Sequence, residues 1–366
     1  MRTRRVDKLF LTLTVVVTAV GFFIFTSASF NLISSKGESN FLSAVSNQFF
    51  LGVVGGFIAL IICNFINYQL LKKFGLWIFL FSLGLTLLVF VPGIGAASGG
   101  AYRWLYLGSF SFQPSEFLKL ATIIYLASLL STGKEQVSTL GRGFVPLLLV
   151  LGVVGAVLLT EPDTDTYGYI VIAGLAMFIG AGGRWKHLLL VLAIGALMFA
   201  GLVTTRPYLK ERVKTFLHPQ TTDSLGAGYQ IEQSLIAIGS GGFFGKGFGQ
   251  SVQKFGYLPE PTTDSIFAIA AEEFGFLGSA ALISIFALLG LRGLIIARKT
   301  HNLFGRNLVI GIIALIMSET FTNIAALTGL IPLAGTPLLF VSHGGTALFF
   351  ALASCGLILS VSKHSR

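Results

Sequence analysis

Glu260 and Asp264 sit in the segment Tyr257-Leu258-Pro259-Glu260-Pro261-Thr262-Thr263-Asp264, where a polar stretch, residues 206–264, gives way to apolar sequence. Pro259 and Pro261 stiffen the approach to Asp264, since each ring fixes its own φ. The apolar run Ser265 to Ala271 follows directly. Asp264 then has two readings. It is the N-cap of the helix that follows, or it is a carboxylate in a half-apolar mouth whose basicity is raised by desolvation. A carboxylate of the second kind accepts a proton from a hydroxyl and serves as a general base.

Other polar clusters carry their own chemistry. Glu161-Pro162-Asp163-Thr164-Asp165-Thr166 gathers three acids within five residues. Its oxygens suit a divalent cation such as Mg or Mn, but a solvated turn that caps the next helix is the favoured reading. Pro114 is suited to the first position of a helix, which sets Glu116 and Lys119 three apart on one face. They form either a structural ion pair or a charged wall of a substrate cavity. A charge inside a span costs about 2.5–3.5 kcal/mol on insertion scales, so it is seldom idle. Arg103, beside Trp104, is a candidate ligand for a phosphate of a lipid head group. Arg206, Lys210, Arg212 and Lys214 form a basic run that lies on a membrane face or neutralises a pyrophosphate. The run Gly239 to Gly249 resembles a phosphate loop but fails as one: Ser240 stands where a glycine is needed, and Gly247 follows Lys246 where Ser or Thr is required. A flexible hinge is expected there. Glycine pairs and hydroxyls around Ser342-His343-Gly344-Gly345 suit close packing or a cavity lining.

The elements that position these groups are membrane spans. Of 366 residues 54% are hydrophobic and only 11% charged, against roughly 25% charged in a soluble domain. Apolar stretches of about 20 residues fall near 9–29, 48–67, 75–92, 114–131, 143–160, 167–182, 187–205, 265–296, 307–328 and 339–361. The sixth is short. The expected fold is therefore all-α and polytopic, with about ten transmembrane helices and one domain over residues 1–366. The net charge of +10 sorts by side instead of signalling nucleic acid. With both termini in the cytoplasm, Arg2, Arg4, Arg5, Lys8, Lys72, Lys73, Lys134, Arg142, Arg184, Lys186, Arg292, Arg298, Lys299, Arg306, Lys363 and Arg366 all fall inside. The loop 206–264, between spans seven and eight, then lies outside. Ser27-Ala28-Ser29 after the first span resembles a signal-peptide cleavage site, but removing that span would wreck the charge parity. Cys63 and Cys355 fall within spans and carry no metal or disulfide pattern. No internal repeat is visible, which counts against an inverted-repeat transporter.

The ordered set of motifs resembles the SEDS family of peptidoglycan glycosyltransferases, the FtsW and RodA type. The landmarks are Arg103-Trp104, Gln113-Pro114-Ser115-Glu116 with Lys119, Glu161-Pro162-Asp163, Gly228-Tyr229-Gln230, Gln233-Ser234, Leu258-Pro259-Glu260, Thr263-Asp264, Glu272-Glu273 and Ser342 with Gly344-Gly345. The resemblance covers nearly the whole chain and leans toward FtsW through Gln253-Lys254. The family's pattern differs at Thr262, Ser265, Thr164-Asp165 and His343, none of which removes the acid. The resemblance implies polymerisation of lipid II at the outer face of the bacterial cytoplasmic membrane, in cell division or elongation. It implies Asp264 as the catalytic residue, cavity roles for Glu116 and Lys119, and a class B penicillin-binding transpeptidase as partner, alongside other division or elongation membrane proteins. Arg103, Lys119 and Arg212 are candidates to stabilise the departing pyrophosphate. Glu260 and Ser342, landmarks of the same resemblance, join them as substrate-binding candidates. A lipid II flippase and a non-catalytic scaffold for the transpeptidase are the rival readings.

Overall fold

A computed structural model describes residues 6–93, 95–98, 101–107, 110–217 and 226–364. The basic residues Arg2, Arg4, Arg5 and Arg366, on which part of the charge pattern rests, lie outside the described residues.

Among the described residues, nine helices are long and apolar enough to cross a membrane. They are α1 Lys8–Ser34, α2 Glu38–Phe65, α3 Tyr68–Phe90, α4 Pro114–Thr132, α5 Leu140–Thr160, α7 Trp185–Thr205, α10 Ile266–Lys299, α11 Leu303–Leu327 and α12 Gly345–Ser362. The expected short sixth span is α6, Thr164–Gly180, an apolar helix of 17 residues. The polar loop adds two helices, α8 Pro207–Leu217 and α9 Ala227–Ser240. Burial separates centre from rim. The apolar window of α12 is 83% buried and that of α4 67%, whereas that of α7 is 11% buried. The helices that carry chemistry are therefore central, and α7 presents its side chains outward.

Residues 7 and 362 meet at one end of the bundle, where Asp7 N donates to Ser362 Oγ at 3.2 Å. Arg292, near the far end of α10, pairs with Asp7 at 2.7 Å. The start of α10, and Asp264 just before it, therefore lies at the opposite end. Helix α1 is an integral wall of this bundle: Ser27 Oγ bonds both Glu273 carboxylate oxygens at 2.7 and 2.6 Å.

Two local features differ from expectation. In a fold expected to be all-α, the residues between the third and fourth spans form a three-stranded antiparallel sheet, β1 Gly95–Ser98, β2 Ala101–Leu107 and β3 Phe110–Phe112. Its β1–β2 register slips between Ala96 and Ala97, which pair with Trp104 and Tyr102, so Arg103 is the extra residue of a bulge. Bulges re-aim a side chain.

The glycine-rich run is no hinge. α10 breaks at Gly275, whose φ of 66° and ψ of −161° are open to glycine. The carbonyls orphaned by the break accept from the run: Lys246 N donates to Glu272 O at 3.0 Å and Gly247 N to Glu273 O at 2.9 Å. In return Phe276 N and Leu277 N donate to Gly242 O and Phe243 O, at 2.9 and 3.2 Å. The run is thus spliced into the broken helix, which satisfies main-chain groups that water cannot reach. A Cβ at Gly241 or Gly245 would collide with the α10 backbone, so these glycines serve close approach.

Candidate active site

Asp264 is half-buried and precedes Ser265, which is the N-cap of α10 and makes no side-chain capping bond. The capping reading of Asp264 therefore fails. Among the described residues no donor bonds its carboxylate, but its main chain is tightly held. Three successive carbonyls are occupied: His343 N donates to Thr262 O at 2.8 Å, Ser342 Oγ to Thr263 O at 2.5 Å, and Asn323 Nδ2 to Asp264 O at 2.8 Å. A rigid main chain with an unclaimed carboxylate presents an acceptor in fixed position.

The surroundings tune that acceptor. Burial pushes the Asp264 carboxyl up to about 7, and Glu260 and Asp165 reinforce the rise while Arg212 and Arg103 oppose it. A carboxyl near 7 is ionised enough to act at neutral pH and basic enough to take a proton. Arg212 pairs with Asp165 at 3.1 Å and also reaches toward Asp264. A Cβ placed on Gly335 would lie 3.0 Å from Arg212 Nη2 and 3.6 Å from Asp264 Oδ2. Arg212 thus lies on α8 over the site, where the sequence left open a membrane-face role. Arg103 Nε donates to Glu161 O at 3.1 Å and its Nη2 to Pro162 O, which ties the sheet to the turn between α5 and α6. Glu260 has a left-handed φ of 48° and accepts from Thr263 Oγ1 at 2.8 Å, closing the turn ahead of Asp264.

The acidic turn splits its roles. Asp163 caps α6 by accepting from Thr166 N at 3.4 Å. Glu161 is 1% exposed, and its carboxyl is pushed up to about 8 by burial and by Asp163, against Arg103. Among the described residues no three His, Cys, Asp or Glu side chains converge as a ligand set for a metal ion. No step below is routed through one.

Glu116 and Lys119 form the expected pair at 3.0 Å, but the ammonium also binds Glu319 of α11. All three are buried and face a small cavity of about 20 Å³. The sequence reading missed Glu319, although the lone acid in the apolar stretch Leu303–Leu327 was a visible signal. Asn323, one helical turn further along α11, clamps Asp264 and Thr336 O, so one helix face joins the triad to the site. Ser342 is 5% exposed, and its hydroxyl is engaged on both sides, donating to Thr263 O and accepting from Leu338 N at 2.8 Å. Asp264, Glu260, Arg103 and Arg212 thus share one electrostatic neighbourhood, while Glu116 and Lys119 lie behind it in the bundle.

The chain as a whole has relatives among known proteins. The chain is 38% identical to stage V sporulation protein E of Bacillus subtilis (strain 168) over 360 residues, 98% of each chain. It is 37% identical to the probable peptidoglycan glycosyltransferase FtsW of Geobacter sp. (strain M18), covering 100% of this chain and 99% of that one. Among solved structures, a chain from "Structural coordination of polymerization and crosslinking by a peptidoglycan synthase complex" superposes with a TM-score of 0.79 at 26% identity, covering 98% of both chains. The rod shape determining protein RodA of Thermus thermophilus shares the fold with a TM-score of 0.70 at 24% identity, over 98% of this chain and 96% of that one. The family model for FtsW, RodA and SpoVE, described as cell cycle protein, matches residues 7–366. From α1 to its last described helix, this chain belongs to the FtsW/RodA/SpoVE family of polytopic membrane proteins.

Proposed function

We propose that this protein is a peptidoglycan glycosyltransferase that polymerises lipid II in cell division, with Asp264 as general base. The observation that carries the reading is the half-buried Asp264 carboxylate, free of hydrogen-bond donors among the described residues and facing Arg212 and Arg103. The acceptor sugar's 4-hydroxyl gives its proton to Asp264 as the oxygen attacks the donor anomeric carbon. The bond from that carbon to the pyrophosphate breaks, undecaprenyl pyrophosphate leaves, and the anomeric centre inverts. The leaving group is already good, so cations near it matter more than an acid. Arg103 and Arg212 supply them. Glu260 tunes Asp264 and borders the acceptor, Ser342 holds the loop against which substrate rests, and Glu116 and Lys119 wall the site from the bundle side. The acceptor end faces outward from the bacterial cytoplasmic membrane, consistent with the basic residues at the opposite end, and a class B transpeptidase supplies crosslinking.

Purified protein given labelled lipid II separates the readings. Glycan chains on a gel that need an intact Asp264 support the enzyme. Head-group movement without chains supports a flippase, and neither activity leaves a scaffold. The pH dependence is a second test. Because the base must be ionised, kcat/KM is expected to rise with pH through about 7, following the Asp264 carboxyl. Arg212→Met removes a cation that opposes the rise and frees Asp165, so the rising limb moves to higher pH. Glu260→Gln removes an anion, so the limb moves to lower pH. Shifts in the same direction in both variants would contradict the assignment.

A further inference from the structure

Gln48 opens the π-helical segment Gln48–Val54 of α2 and is 2% exposed. Its carboxamide is used in both senses against one loop. Nε2 donates to Ser342 O at 3.1 Å, and Oε1 accepts from Gly344 N at 3.1 Å. A neutral primary amide offers that pair of roles, which neither an aliphatic side chain nor a carboxylate anion reproduces. The loop it grips is the one that holds the Asp264 segment. Ser342 Oγ and His343 N occupy the carbonyls of Thr263 and Thr262 at 2.5 and 2.8 Å. The residue whose carbonyl Gln48 binds is thus the residue whose hydroxyl binds beside Asp264. Local wide turns of this kind recur at functional sites, where an extra residue per turn rotates a side chain out of helical register. Close packing backs the arrangement, because a Cβ on Gly52 would lie 3.0 Å from Leu348 of α12.

We propose that Gln48 is a positioning residue for glycosyl transfer: it fixes Ser342 to Gly344, and through them the direction of the Asp264 carboxylate. The proposal rests on Asp264 being the base. Loss of the two bonds lets the loop drift, and misplacement of a reacting group by about 1 Å costs on the order of 10²-fold in rate.

The test uses the full-length protein with labelled lipid II. Gln48→Leu is expected to lower kcat per folded molecule by roughly 10- to 100-fold, to leave KM within about twofold, and to move the pH midpoint of the rising limb. Gln48→Glu, which keeps the acceptor for Gly344 N, is expected to fall between wild type and Gln48→Leu. A merely structural residue would lower folded yield and leave kcat, KM and the pH midpoint of folded protein unchanged. Asp264→Asn runs in parallel. An inactive Asp264→Asn beside a fully active Gln48→Leu overturns the role of Gln48 alone, and an active Asp264→Asn overturns both assignments. Where Gln48→Leu does not fold, wild-type kcat in Gln48→Met, which cannot donate to Ser342 O, overturns the proposal.

Discussion

Asp264→Asn is expected to reduce lipid II polymerisation by about 10²- to 10⁴-fold while leaving the protein folded. At 1.36 kcal/mol per decade this is about 3–5 kcal/mol of transition-state stabilisation. The amide matches the carboxylate in size and cannot take the proton. Folding should survive because the structural bonds at this position come from the main chain: His343 N, Ser342 Oγ and Asn323 Nδ2 hold the carbonyls of Thr262, Thr263 and Asp264, and none of them touches the carboxylate. Among the described residues the side chain neither caps α10 nor completes an ion pair. The neutral variant also removes a partly desolvated charge, which favours the folded state. Asp264→Glu makes the complementary point: one added methylene carries the base past its position, and about 1 Å of misplacement costs on the order of 10²-fold. Initial rates of glycan formation measured from pH 5 to 9 check both variants. Polymerisation by Asp264→Asn within tenfold of wild type at any pH would remove the general base from the mechanism.

Much of the scaffold was legible because a membrane imposes a simple grammar. Apolar length and charge asymmetry set the helices, including the short α6. The charges inside spans marked Glu116 and Lys119 as worth explaining. What escaped was contact between distant segments. Lys119 bonds Glu319 across 200 residues, and Arg212 pairs with Asp165 across 47. No local pattern encodes such partners. Asp264 was ambiguous for a related reason, since cap and base share one sequence signature. The cap falls away because Ser265 is the N-cap of α10, and the base remains the proposal. The sheet around Arg103 was hidden by its short strands, of four, seven and three residues, and by the bulge that breaks alternation. The glycine run was misread because glycine permits both flexibility and close approach. Only the partner backbone of α10 at Gly275 decides between them.

That same junction yields the second large effect. Lys254→Met is expected to destabilise the protein by about 3–5 kcal/mol, because it strands a buried carboxylate. Lys254 Nζ lies 2.7 Å from Glu273 Oε1, with side chains 0% and 1% exposed. Ser27 Oγ and Ser251 N donate to the same carboxylate, the latter at 3.4 Å. These neutral donors cannot replace the lost cation in a site shut off from water. The neighbouring pair, Lys246 with Glu272 at 2.6 Å, provides the contrast. Its lysine side chain is 34% exposed, and Glu272 keeps Ser251 Oγ at 2.5 Å and the amides of Val252 and Gln253 at 3.3 Å. Glu272 is itself 0% exposed, but its partner's side chain reaches solvent and it keeps those three donors, so Lys246→Met should cost less than Lys254→Met, about 1–3 kcal/mol. The double variant Lys254→Met with Glu273→Gln removes the stranded charge, keeps an acceptor for Ser27, and should recover more than half of the loss. Reversible unfolding or thermal inactivation in one detergent ranks the three variants. If Lys254→Met and Lys246→Met lose the same stability, or if Glu273→Gln makes Lys254→Met worse, the ion pair is not what fastens the loop to the break in α10.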